Sequence, residues 1–519
     1  MTPVTLWVWA ACAGTVLLGA AVADLPPPER HYDILILLPM SSTSHRNIFM
    51  PVAEALAERG HKVVMLINHP LESRNPNITL VFHGLDDFRP ENISMFRIRK
   101  DVQEASRIYY EMFEAVSRKF YKVPKVKRLY ERRKEFDLII VFHMMNEIAY
   151  PFVHGRPYIT ITTVGVDATQ SAALGNVLNP AYVSNFVFPF PQPLSFYHRF
   201  LNLLLQIGIA CYWKSMAMSG VQKELSSQFP DFPSLVEIER NQSLTLMNSH
   251  FSLDTPLPLL PSQVEIGGMH CRPGNPLPQD LESWISGAGA AGVVYFSLGS
   301  TNQGVTLPAH YRDILLEAFR RIDQRVLWKT VGEVDGVPEN VLVRKWVPQQ
   351  DVLAHPNVKV FISHAGLLST QEAAYHATPV LALPIMADQP RNAANIKGAG
   401  FGLALEWEEI TVDLVLETLR DLIDNPRYKA SAEEISGAMR DQPVSPKDRA
   451  VFWTEYVIRH QGARKLRCPA ADLSWVEFLM LDVLAALLLA VCVSFVLLKR
   501  LGRAVCRAVC RDESKEKRD

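Results

Sequence analysis

Five short apolar runs, at residues 293–296, 326–329, 341–345, 358–362 and 380–383, alternate with stretches long enough to be helices. Each run is continuous, without polar alternation, so each predicts a strand buried on both faces. Buried strands joined by helical crossovers imply a parallel sheet with helices on both sides, a doubly wound α/β domain. A looser set of the same kind lies nearer the N-terminus. Residues 34–38 are apolar and 41–46 form a polar loop. Val52 and Leu56 then recur at helical spacing up to Arg59, where Gly60 supplies a stop. Residues 62–66, 138–141 and 158–162 predict further strands of that first sheet. A chain of 519 residues is long enough for two such domains plus additional segments.

The rest of the chain is organised around these sheets. Residues 166–250 have no clean period, and their aromatic stretch at 186–212 reads as pocket wall or membrane-facing surface, with ordinary core packing as the plain alternative. The Pro- and Gly-rich segment 255–279 predicts a linker. The expected layout is an N-terminal domain at 24–254, a C-terminal domain at 280–440, and a helical segment at 441–475 returning toward the first domain. Gly398-Ala399-Gly400-Phe401-Gly402 follows a helical pattern, so it predicts a helix stop and turn and not a dinucleotide loop.

The two ends carry addresses. Residues 6–23 are apolar and end in Ala21-Val22-Ala23, the form of a signal peptide at 1–23. Residues 476–498 are long enough to span a bilayer, with Glu477 and Asp482 near one interface. Lys499, Arg500, Arg503, Arg507 and Arg511 follow in a basic tail at 499–519, which the positive-inside rule places in the cytosol. The body then faces the lumen, where Asn77, Asn92 and Asn241 head glycosylation sequons. Cys506 and Cys510 are candidates for palmitoylation, with plain free thiols as the alternative. Lys515 and Lys517, fifth and third from the end, fit an endoplasmic-reticulum retrieval signal for a single-pass type I protein. A net charge of −1 leaves no electrostatic footprint for nucleic acid. Seven scattered cysteines form no disulfide framework and no zinc pattern.

Chemistry concentrates at residues 346–389. Trp346 ends a strand at the carboxyl edge of the sheet, where such folds bind ligands, and offers a flat face on which a base can stack. His364-Ala365-Gly366 leaves the next strand and opens a helix, so small residues and a helix N-terminus can receive an anion, with His364 as a further donor. Glu372 lies two turns on and supplies acceptors for ribose hydroxyls. Asp388 and Gln389 close the following strand with groups suited to sugar hydroxyls.

This ordered set resembles the signature of the family-1 UDP-glycosyltransferases, the animal UDP-glucuronosyltransferase type. The resemblance runs through Trp346-Val347-Pro348-Gln349 and from Phe361 to Gln389, and extends to Ser297-Leu298-Gly299-Ser300, the segment 266–270 and the segment 449–456. It implies a GT-B fold, two Rossmann-like domains facing a cleft, with donor on the C-terminal domain and acceptor on the other. Trp346 would stack on uracil and Gln349 would contact its edge. Ser300, His364 and the Gly366 turn would meet the diphosphate, Glu372 the ribose, and Asp388 and Gln389 the sugar. No metal and no cofactor beyond the UDP-sugar co-substrate are implied, and the chain lacks a D-x-D motif.

The resemblance also implies that His45, in the loop after the first strand, is the catalytic base, with His31 and His61 as competitors. An imidazole titrates near working pH and could take the acceptor hydroxyl's proton as the configuration inverts. One departure stands out. The family's histidine is oriented by a carboxylate after the strand at 138–141, and here that place holds Phe142. Glu147 is the expected substitute, with Asn146 and His143 as alternatives. The expected partners are a UDP-sugar, a small lipophilic acceptor and the membrane, with homo-oligomer formation left open. UDP-glucose and UDP-glucuronic acid are the candidate donors, and the wording after Gly366 sits nearer invertebrate members, which favours glucose. A catalytically weak UDP-sugar-binding or regulatory protein is the competing reading, and a lumenal lipid-binding protein a third.

Overall fold

The computed structural model describes residues 25–85, 95–185, 187–299 and 307–516. The signal peptide, Asn92, Ser300 and Lys517 lie outside the described residues. The first sheet has seven parallel strands: β1 (Asp33–Leu38), β2 (Lys62–Ile67), β3 (Ile78–Phe82), β4 (Leu138–Phe142), β5 (Tyr158–Thr162), β6 (Leu244–Met247) and β7 (Gln263–Glu265). Their order is β3-β2-β1-β4-β5-β6-β7. The second has six: β8 (Val293–Ser297), β9 (Arg325–Lys329), β10 (Val341–Arg344), β11 (Val358–Ser363), β12 (Val380–Ala382) and β13 (Gly402–Ala404), ordered β10-β9-β8-β11-β12-β13. This is the GT-B architecture.

Burial explains the continuous runs. Ile34, Ile36 and Leu38 of β1 pack with Leu138, Ile140 and Phe142 under the helix Thr43–Glu58. Leu35, Leu37, Ile139 and Val141 face the other way, against Phe113, Val116 and Phe120 of the helix Val102–Phe120. The second sheet repeats the scheme, with Tyr295 and Phe361 on one face and Phe296 and Ile362 on the other.

Several expectations need correction. The segment 255–279 is not linker throughout: its Gln263–Glu265 pairs with Thr245–Met247 as the edge strand of the first sheet. It was hidden because three residues between prolines and glycines give no period. Gly398 does end a helix and Gly400 does turn, with φ +75°, but Gly402 opens β13. The aromatic stretch becomes helical only at Phe196–Tyr212, and core packing does not describe it. Asn202 is the buried residue of that helix, while Phe196 is 77 % exposed and Phe200, Leu204 and Ile207 also face outward.

The long apolar helix starts later than the expected span. Ser474 and Glu477 form a capping box on the short helix Trp475–Phe478, and the chain breaks at Met480 with φ 52°. The candidate span is Leu481–Arg507, not 476–498, so Glu477 stays outside and Asp482 sits in its first turn. The helix continues through the basic tail to Glu516.

The helix Pro446–Arg459 lies on the N-terminal domain, contributing Ala450, Val451 and Val457 to the core around β1. Its buried Glu455 accepts from Arg59 Nε at 2.6 Å and Arg459 at 3.2 Å, and its Oε1 is 3.0 Å from His61 Nε2. Burial alone would raise this carboxyl, but the bonds from His61 and Arg59 overcome it and hold it below the ordinary value. Its contribution to stability is therefore full at neutral pH and is lost as acid protonates it. Glu455→Ala strands Arg59 and His61, and breaking such a buried pair costs about 3 kcal/mol. A clear fall in the denaturant midpoint of the detergent-solubilised protein, smaller at pH 4 than at pH 7, is the expected result.

Candidate functional site

Parallel strands bring their carboxyl ends to one edge, and the second sheet's edge collects most of the expected donor residues. Trp346 follows β10 and is 70 % exposed, held by the buried Val347 beside it, so it is not a core tryptophan. Gln349 begins the helix Gln349–Leu353. Its side chain is already committed: Oε1 accepts from Tyr295 at 3.0 Å, and Nε2 donates to Ser369 at 3.0 Å and Glu372 at 2.6 Å. The amide therefore fixes Glu372.

Glu372 is pushed up to about 7 by burial, against the Gln349 bond and the Lys329 charge, which lower it. His270 Nε2 approaches its other oxygen at 3.7 Å. Lys329, the last residue of β9, was missed by sequence reasoning. The signal was its place at the carboxyl edge, in register with Ser297 of β8. Its amine is held below the ordinary lysine value by burial, while Glu372 acts in the opposite sense.

His364 sits between two glycines. A Cβ on Gly299, at φ +84°, or on Gly366 would come within 2.6 Å of its ring, so only glycine fits at either place. Burial, helped by the Lys329 charge, lowers His364 to about 4, so the ring is neutral at physiological pH. Gly366 caps the helix Leu367–Tyr375, whose N-terminus opens beside the ring. Lys329, His364 and that helix end together form a site for an anion.

Asp388 and Gln389 open the helix Gln389–Gly398. Gln389 Oε1 accepts from the Ile385 and Met386 backbones, which shapes the turn. Asp388 accepts from Asn392 at 2.7 Å. Arg391, one turn on, donates to the Val164 and Val166 carbonyls of the first domain, and its charge is felt by Asp388, Asp254 and Asp167. Gln371 Nε2 donates to Asn248 O at 3.2 Å, and Asn395 to Asp254 at 3.0 Å, so the two domains touch along this cleft.

On the opposite wall, His45 occupies the third position of its helix in a capping box: Ser42 Oγ accepts from His45 N, and His45 Nδ1 accepts from Ser42 N, both at 3.3 Å. Burial lowers the imidazole to about 4. Its ring rests on Phe142, centroids 4.8 Å apart. Glu147 does not serve it. Side chains of β4 alternate between faces, and the chain then turns through Met144 and Met145, both at positive φ. Glu147 ends up buried and takes a bond from Trp213 Nε1 at 3.2 Å. The competitor His61 is bound to Glu455, and the His31 ring packs against Gly60. Asn77 donates its amide to Ala57 O, whereas Asn241 is exposed, with Arg467 on its oxygen. Among the described residues, no group of three or more His, Cys, Asp or Glu could hold a metal ion.

A family model described as "UDP-glucoronosyl and UDP-glucosyl transferase" matches residues 33–516. The chain is 37% identical to "UDP-glycosyltransferase UGT5" of Dactylopius coccus, over 88% of this chain and 89% of that one. It is 32% identical to "UDP-glucosyltransferase 2" of the same insect (94% and 96%) and 30% identical to human "UDP-glucuronosyltransferase 2B7" (89% and 91%). Among solved structures, spinosyn forosaminyltransferase SpnP superposes with a TM-score of 0.57 at 20% identity, covering 83% of this chain and all of its own. The calicheamicin glycosyltransferase CalG4 gives 0.57 at 17%, covering 83% and 99%. These last two bear on the fold alone.

Two outcomes are expected. Trp346→Ala removes a stacking face worth roughly 1–3 kcal/mol, so UDP affinity by calorimetry should fall about tenfold with the fold intact. The Glu372 carboxylate accepts hydroxyl donors only when ionised, so UDP-glucose affinity should weaken as pH falls through about 7. That dependence should vanish in Glu372→Gln.

Proposed function

Because the chain belongs to the family of UDP-glucuronosyl and UDP-glucosyl transferases, we propose that it transfers a neutral hexose, glucose in preference to glucuronic acid, from UDP to a hydroxyl of a small lipophilic acceptor, with inversion. The observation that carries this reading is the charge along the cleft. Lys329, His364 and a helix N-terminus gather where the diphosphate would lie. At the sugar end Arg391 is offset by Asp388, Asp254 and Asp167 and spent on two carbonyls. A uronate carboxylate would meet an acidic surround there, whereas neutral hydroxyls find both acceptors and donors. Lys329 and the helix end stabilise the leaving diphosphate in this reading.

Delivery of a lipophilic acceptor from the bilayer suits a body tethered by the helix at Leu481–Arg507 and carrying an outward apolar face on Phe196–Tyr212. In this reading the body is lumenal and the basic tail cytosolic, with retrieval to the endoplasmic reticulum through Lys515 and Lys517.

With microsomes and a phenol and steroid acceptor panel, kcat/KM for UDP-glucose should exceed that for UDP-glucuronic acid by tenfold or more; the reverse order overturns the donor assignment. Tight UDP binding without transfer from any donor would favour a binding-only, regulatory role, for which the Phe142 ring against His45 is the relevant observation. Added protease should spare the body of intact microsomes and remove the tail.

A further inference from the structure

Two neighbouring turns of the second sheet stand in a backbone region that alanine seldom enters. Ala365, after β11, has φ 60°, and Ala387, after β12, has φ 61°. The strands before them are hydrogen-bonded side by side, with Ser363 in register with Ala382. The first turn leads through Gly366 into the helix Leu367–Tyr375, and the second through Asp388 into the helix Gln389–Gly398. Such turns at residues other than glycine persist only where their surroundings hold them.

One side chain reaches both. Asn392 lies one turn into the second helix and is 1 % exposed. Its amide nitrogen has two hydrogens, and both are used. One goes to Ala365 O at 3.0 Å and the other to Asp388 Oδ2 at 2.7 Å. Its backbone N also donates to Asp388 O at 3.0 Å. An ordinary amide–carboxylate pair four residues apart decorates an exposed helix face. This pair is buried and takes in a third member from another loop. Among the described residues, the buried Asn392 Oδ1 has no hydrogen-bond partner. An orphaned acceptor is a cost that an apolar side chain of similar size would avoid. What asparagine supplies here is therefore its two donors.

The turns differ in how well they are held without it. Ala365 N donates to Ser363 Oγ at 3.1 Å, and Gly366 O accepts from Thr370 N at 2.9 Å, so the first turn keeps bonds of its own. Asp388 is less secure. Burial raises its carboxyl, and the Arg391 charge, the Asn392 bond and a backbone bond from Leu367 act against that. Leu367 opens the helix whose N-terminus lies beside His364, so the Asp388 carboxylate is aligned with the anion site only while both turns stay in register.

We propose that Asn392 is a positioning residue for the donor's sugar: its two donated hydrogen bonds lock the Asp388 turn to the Ala365 turn, so that diphosphate and sugar are received in one fixed register. The proposal rests on the donor reading above, in which the diphosphate meets the first turn and sugar hydroxyls meet Asp388. Asn392 touches neither; it acts through the carboxylate and the carbonyl it holds.

The experiment measures the affinities of UDP and of UDP-glucose by calorimetry for the full-length wild type, Asn392→Ala, Asp388→Asn and the double variant. Alanine is favoured inside a helix and removes the orphaned acceptor, so Asn392→Ala should fold, and retained UDP binding checks that it has. Loss of a hydrogen bond to a charged group should weaken UDP-glucose about tenfold or more in Asn392→Ala. UDP alone should change by less than about threefold, and adding Asn392→Ala to Asp388→Asn should cost UDP-glucose less than about threefold further. Equal weakening of both ligands in Asn392→Ala overturns the proposal, because it reports a collapsed site and not a displaced sugar contact. Unchanged UDP-glucose affinity in either single variant overturns it, as does the same loss with and without Asp388. A wild type that binds UDP-glucose but transfers it to no acceptor sinks the transfer reading alone, since these affinities are read without turnover.

Discussion

Every strand described here runs parallel to its neighbours, and a parallel ladder can be closed only through crossovers that return the chain to the same end. That constraint puts all carboxyl ends of one sheet on one edge. Trp346, Lys329, His364 and Asp388 belong to four different βα connections, yet they share a cleft because their strands are hydrogen-bonded side by side. On the facing wall the same rule lines up His45 and Asp167 after β1 and β5. The glycosyltransferase site is thus a consequence of strand direction, filled in by loop chemistry.

Electrostatics then divides the cleft. Buried groups there are not independent: Lys329 lowers both His364 and Glu372, while Arg391 is shared among three aspartates. In the proposed reading one end receives the diphosphate and the other the sugar hydroxyls. A deeper set, His143 with Asp167, Glu147 and Glu239, carries more acid than base, and Glu239 is driven to about 7 chiefly by burial, with Glu147 and Asp167 adding to it.

The segment after the second domain ties these parts together. The helix Pro446–Arg459 leaves the second domain and lays Glu455 between Arg59 and His61, so the chain returns to the helix that carries His45 before it reaches the long apolar helix. The helix Leu481–Glu516, at 36 residues, spans about 54 Å at 1.5 Å per residue, well beyond a hydrocarbon core of roughly 30 Å.

The sequence by itself determined the two parallel sheets, because continuous apolar runs of strand length are stable only when both faces are covered. It also determined which candidate donor residues share one edge, because their order along the chain places each after a strand of the same sheet. Short edge strands escaped it: β7 and β13 have three residues each, too few to set a period. Only the tertiary structure decided which partner each titratable side chain has. Gln349 reads as a free amide until Tyr295, Ser369 and Glu372 close on it. Glu147 reads as a neighbour of His45 until the alternation of β4 and the turn at Met144 carry it to Trp213. Asp167 lies 24 residues from His143 in the chain and 3.5 Å away in the fold. Periodicity reports which face a residue shares with its own element; it does not report which loop of a neighbouring strand comes to meet it.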